Sequence, residues 1–157
     1  MAVAGQEGAL GPEGTLKVVV GVDGSASSRA AVRWAIGYAK LIGAVVEAVG
    51  VVELPMNYGW SAPVVDTSLD EDTAQRNFRQ ELDAVLPAAL GEGQPVEVRE
   101  LLVRGNPAEA LIEASRDAQV LVVGSRGHGT FARAMLGSVS QRCAQHAPCP
   151  VVIVRPG

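Results

Sequence analysis

The chain has no apolar run approaching the roughly 20 residues that a membrane-spanning helix needs; Gly or a charged residue interrupts the longest candidates. The opening MAVAGQEGALGPEG has neither a basic stretch nor an apolar one of the kind that marks a secretion signal, so a cytoplasmic protein is expected. Cysteine is scarce: Cys143 and Cys149 are the two, too few for a disulfide framework, and free thiols near a helix end and a strand start are expected. Positive charge is also short, with 13 Lys and Arg against 17 Asp and Glu, so neither nucleic acid nor an anionic membrane is an expected partner. No lysine follows Lys40, which excludes a Walker A loop, and DGSASS after the first apolar run excludes the G-x-G-x-x-G dinucleotide fingerprint. No Ser, His and acid cluster and no metal-ligand spacing such as H-E-x-x-H or C-x-x-C is visible, so hydrolytic chemistry has no named apparatus.

What is present is 157 residues, 48% of them hydrophobic, enough for one core and too few for two ordinary domains. Residues 1–14 are rich in Gly and small residues and read as a flexible tail, with a single domain over 15–157. Short β-branched runs then alternate with helical periodicity. Strands are expected at Leu16–Val22, Ala44–Val51, Val96–Val103, Val120–Gly124 and Pro150–Val154. Between the first two strands, Val32, Ala35, Ile36, Ala39 and Ile42 mark a helix face, on which Trp34 is expected to pack. Pro55–Asp70 reads as a polar connection containing Trp60, followed by a second helix whose face carries Phe78, Leu82, Val85 and Leu86 and which Pro87 ends or kinks. Asn106, Pro107 and Glu109 form a start signal for the third helix, and Ser138 with Gln141 gives the capping-box spacing for the fourth, whose end carries His146.

Strands and helices alternating five times predict a doubly wound α/β domain: an open parallel five-stranded sheet with helices on both faces. In such sheets ligands bind beyond the carboxyl ends of the strands, where strand order reverses. Two strand ends stand out: Val22-Asp23-Gly24-Ser25, and Gly124-Ser125-Arg126-Gly127-His128-Gly129 running on to Gly137-Ser138-Val139-Ser140. The second favours phosphate. Glycines permit positive φ and close approach of backbone N–H groups, and the N-terminus of the fourth helix adds free amides and the positive end of its dipole. The hydroxyls of Ser138 and Ser140 and the charge of Arg126 or His128 extend that donor set.

The spacing Gly124-x-x-Gly127, nine residues, then Gly137-Ser138 resembles the motif G-x2-G-x9-G-[S/T] of ATP-binding universal stress proteins at every fixed position. VVVGVDGS (18–25), VRGNPAEALIEAS (103–115), VLVVGSRG (120–127) and CPVVIV (149–154) resemble the same family in the expected order, so the likeness covers residues 16–155. It implies strand order 3-2-1-4-5 and the architecture shared with adenine nucleotide α-hydrolases. It also implies that Asp23 holds the ribose or adenine side, with Gly21 and Val22 lining that wall and the backbone of Val51 at the adenine edge. Gly124, Gly127, Gly129, Gly137, Ser138, Val139 and Ser140 would surround ribose and phosphates, and Arg126 would meet phosphate or a subunit contact. ATP is the expected ligand, with Mg²⁺ held through its phosphates, slow hydrolysis at most, a stress-response role, and a homodimer paired through the last strand. Two alternatives stay open: a partner-binding stress protein whose site is empty or holds cyclic AMP, and an enzyme of the nucleotide α-hydrolase type.

Overall fold

The computed structural model describes residues 14–53, 67–93, 95–127 and 135–156. Five strands form one parallel sheet: β1 (Lys17–Gly21), β2 (Val45–Val52), β3 (Val98–Arg104), β4 (Val120–Gly124) and β5 (Val151–Val154), in the order β3-β2-β1-β4-β5. Helices α1 (Ala26–Ile42), α2 (Thr67–Leu90), α3 (Pro107–Ala114) and α4 (Ser138–His146) fill the connections. The expected fold class and strand order are those observed.

The central strand shows why continuously apolar runs become strands here. Val18, Val19 and Val20 are each fully buried, because β1 is covered on both faces. Val18 and Val20 join Ile36, Phe78 and Leu82 in one core layer under α1 and α2, whereas Val19 points the other way, to Leu111 of α3 and Cys143 of α4. The same period of two sorts β4: Val120 and Val122 face the first layer, Leu121 and Val123 the second. Burial pushes the Cys143 thiol up to about 11, neighbouring Cys149 adding to the effect, and both cysteines are free as expected.

Several boundaries differ from the sequence expectations. Strand β3 starts at Val98 instead of Val96 because its register with β2 begins at Val46 opposite Val98. Helix α2 already includes Thr67–Asp70, within the stretch assigned to a polar connection; the rest of that connection, with Trp60, lies outside the described residues. Pro87 sits inside α2 without ending it there. It falls in the last turn, and the carbonyl whose helical partner it removes belongs to exposed Asp83, so the loss costs little there. Trp34 lies on the outer side of α1, 38% exposed, with its ring stacked on Tyr38 at 5.1 Å. His146 closes α4. The expected flexible tail lies outside the described residues except for Gly14.

The two sheet edges carry opposite chemistry. Along β3, Arg99 pairs with Glu97 at 2.7 Å, Glu100 with Arg79 of α2 at 2.9 Å and Arg104 with Glu71 at 2.7 Å. Strand β5 reads VVIV, uncharged, with all four residues half-buried.

Candidate functional site

Strand order reverses between β1 and β4: the chain runs outward through β2 to β3, then returns across the sheet to place β4 on the other side of β1. The carboxyl ends of these neighbouring strands diverge into a cavity of about 560 Å³. One wall begins where β1 stops. The Asp23 carboxylate accepts the Ser25 amide at 2.8 Å, and the Asp23 amide donates to the Ser28 hydroxyl at 3.1 Å, so a turn of the chain holds this exposed acid at the rim.

Backbone alternation places a second element on that wall. In β2 the Val46 amide and the Val52 carbonyl bond towards β3, to the Glu97 carbonyl at 2.9 Å and the Gly105 amide at 3.0 Å. Val45 and Val49 bond towards β1, to the Leu16 carbonyl at 2.9 Å and the Val22 amide at 2.8 Å. Period two therefore turns the N–H and C=O of Val51 to the β1 side, beyond the last register pair, Gly21 with Val49. Val51 lines the cavity, and its backbone polar groups face it past the end of β1.

The opposite wall is the stretch after β4 and the start of α4. Helix α4 has Gly137 as its N-cap, at φ −64° and ψ 160°, with no side-chain hydrogen bond to the first turn. The Gln141 amide is the first to bond back, to the Gly137 carbonyl at 3.0 Å, which leaves the amides of Ser138, Val139 and Ser140 without an intrahelical acceptor. All three residues line the cavity, and no acidic residue occupies the first turn to occupy them. This wall is an electropositive rim of donors facing Asp23.

The sequence profile of the universal stress protein family matches residues 15–155. A universal stress protein of Mycolicibacterium smegmatis is 37% identical over 139 residues, covering 87% of this chain and 47% of that protein. The chain belongs to the universal stress protein family. It spans about half the length of the curated relatives it matches. Among solved structures, a universal stress protein described as a complex with cAMP is 30% identical, with a TM-score of 0.63, covering 91% of this chain and 98% of that one. The UspA protein of Lactobacillus plantarum, 23% identical, shares the fold with a TM-score of 0.70 over 89% of this chain and 97% of that one.

In this member of the universal stress protein family, the structure brings Gly21, Val22, Asp23, Val51, Gly124, Arg126, Gly127, Gly137, Ser138, Val139 and Ser140 together around this cavity. Gly129 and His128 lie outside the described residues. Three expectations need correction. The cap of α4 is Gly137 and not Ser138, which is the first helical residue, so the expected capping box does not form. The Ser140 hydroxyl is committed inside the protein: buried, it donates towards the carbonyls of Gly137 at 2.9 Å and Ser125 at 3.2 Å. Finally, Gly124, Gly127 and Gly137 do not use positive φ. Their purpose is close approach: a Cβ on Gly124 would sit 2.5 Å from Ser27 Oγ, one on Gly137 3.3 Å from Arg126 Cα, and one on Gly127 3.2 Å from the Asp23 carboxylate.

Pro107 and Leu111 of α3, Met135 and Leu136 before α4, and Glu53 after β2 also line the cavity and were missed from sequence. Leu111 carries the signal of an ordinary core residue, and only its position beside Gly21 makes it a wall. Among the described residues no group of three or more His, Cys, Asp or Glu side chains could hold a metal ion, and no helix is long and apolar enough to cross a membrane.

Proposed function

We propose that this chain binds an adenine nucleotide, ATP in the first place, and that occupancy of the site regulates a stress response with at most slow hydrolysis. The observation that carries the reading is the uncapped N-terminus of α4, whose first-turn amides face a nucleotide-sized cavity with Asp23 on the far rim. Phosphates lie on the Ser138, Val139 and Ser140 amides, with Gly127 and Gly137 allowing the close backbone approach that sets this wall, and Arg126, which also lines the cavity, adds charge. Asp23 accepts from the ribose hydroxyls. Val51 supplies an N–H and a C=O on one edge, which complement the acceptor N1 and donor amine of adenine and oppose the reversed pattern of guanine. Mg²⁺ is carried by the phosphates, with no protein cage.

The relative solved with cAMP favours a second reading, in which a cyclic or monophosphate nucleotide is the resident ligand. The α4 amides serve either, and chain length of the phosphate decides. The uncharged β5 edge, set against the ion-paired β3 edge, supports a homodimer joined through β5 in a cytoplasmic protein, since unpaired strand backbone invites a second copy.

The test is absorbance and mass analysis of nucleotide co-purifying with the protein, followed by calorimetric titration with ATP, AMP and cyclic AMP. Wild type takes up nucleotide, and Gly127→Leu, whose side chain enters the gap to Asp23, loses affinity by about tenfold or more. Equal uptake by both proteins removes this placement of the site.

A further inference from the structure

The first turn of α1 carries three buried serines, Ser25, Ser27 and Ser28, at 8%, 3% and 4% exposure. Buried hydroxyls must find partners, and these find them at the two strand ends that flank the cavity. Ser28 Oγ donates to the Gly21 carbonyl at 3.2 Å and accepts the Asp23 amide at 3.1 Å, which secures the first wall. Ser27 Oγ takes hold of the second: it donates to the Arg126 carbonyl at 2.5 Å and accepts the Arg126 amide at 3.3 Å. Ser25 Oγ reaches the same carbonyl at 3.2 Å while capping Ser28.

We propose that Ser27 is a positioning residue for the anion-binding wall, clamping the peptide groups on both sides of Arg126 and so setting where Gly127 and the start of α4 stand relative to Asp23. The inference rests on reading the cavity as a nucleotide site. Ser27 touches no ligand in this scheme; it acts through the chain of contacts it anchors. Gly124 brings β4 against the backbone of Ser27, since a Cβ there would lie 2.8 Å from the Ser27 carbonyl carbon. Gly137, the α4 cap, lies directly over the clamped residue: its amide bonds the Ser125 carbonyl at 2.8 Å, and its hypothetical Cβ is 3.6 Å from the Gly127 nitrogen. Releasing Arg126 therefore frees both the loop start and the cap of α4, whereas the Asp23 wall keeps its own anchor in Ser28.

Titrating Ser27→Ala with ATP and with adenosine tests this, with Ser115→Ala as control. Ser115 is fully buried and its hydroxyl donates to the Ile112 carbonyl at 2.8 Å, away from the cavity lining, so it reports a comparable internal hydrogen bond. Ser27→Ala weakens ATP by roughly tenfold and adenosine by less than about twofold, because the phosphate end alone is displaced; Ser115→Ala leaves both ligands within about twofold. If Ser27→Ala does not fold, Ser27→Cys keeps an S–H that holds Arg126 more weakly, on a somewhat larger atom, and gives the same comparison. Parallel losses for ATP and adenosine, or no loss, overturn the proposal. Amide hydrogen exchange on ligand-free protein decides the clamp separately: Ser27→Ala speeds exchange at Arg126 and Gly127 by about tenfold, and unchanged rates there sink the clamp even if nucleotide binding stands. A wild type that takes neither ligand defeats the nucleotide reading, and the positioning role falls with it.

Discussion

Helices α3 and α4 both begin at the carboxyl edge of the sheet, yet they end their exposed amides in opposite ways. The α3 start is closed by its own residues: Asn106 accepts the Glu109 amide at 3.1 Å, Pro107 removes a donor, and Glu109 places negative charge in the first turn. The α4 start has a glycine cap, no side-chain acceptor and no acid, and its first three residues line the cavity. The difference teaches that a helix entering a shared edge offers backbone donors to a ligand only where local sequence leaves them without an intrahelical or side-chain acceptor. In α3 the same position contributes apolar wall, through Pro107 and Leu111.

The largest expected effect comes from making α4 resemble α3. Gly137→Asp places a carboxylate where it caps the amides and repels phosphate, so ATP affinity falls by about a hundredfold or more in calorimetric titration. Retained affinity would show that the anion end lies elsewhere. The reverse change, Asn106→Ala, opens α3 and lowers folding stability by about 1 kcal/mol in denaturant unfolding, with ATP affinity unchanged within about twofold. A loss of ATP affinity in that variant breaks the contrast between the two helices.

A third measurement asks whether the seat of α4 is independent of its mouth. Cys143 is raised in the folded state from its ordinary 9.0 to about 11, so the folded protein holds this proton more tightly. The contribution is fully present below pH 9 and is lost as pH rises from 9 towards 11. Melting temperature therefore declines over that alkaline range in wild type and less steeply in Cys143→Ala, with no such slope near neutrality. An equal alkaline decline in the variant assigns it to other groups. The smallest effect is Ser138→Ala: the amide survives the change, so ATP affinity drops by less than about threefold. A loss as large as that of Gly137→Asp would shift the burden from backbone to hydroxyl.

Much of this architecture was legible because the strands are buried on both faces, and Val18–Val20 could satisfy two core layers only as a covered strand. The α3 start was legible for a different reason: Asn106, Pro107 and Glu109 act on each other within one turn. At α4 the same spacing misled, since Ser138 and Gln141 form a capping box only if the chain enters the helix at Ser138. It enters one residue earlier, at Gly137, where a Cβ would lie 3.3 Å from Arg126 Cα and a larger cap is accommodated only by a small shift of that neighbour. Val51 was placed by family likeness; the reason its backbone is open, the early end of β1, appears only in the pairing register.

What the chain determines locally is period, composition and turn chemistry: which segments are strands, which helices self-cap, where glycine removes a side chain. These follow from interactions within a few residues and hold wherever the segment sits. Which donors stay unspent, which core residue becomes a wall, and which serine grips the loop ninety-nine residues away were decided by tertiary structure. The reason is that satisfaction of a buried polar group depends on what the fold brings within about 3 Å of it, and strand order, not sequence distance, sets that.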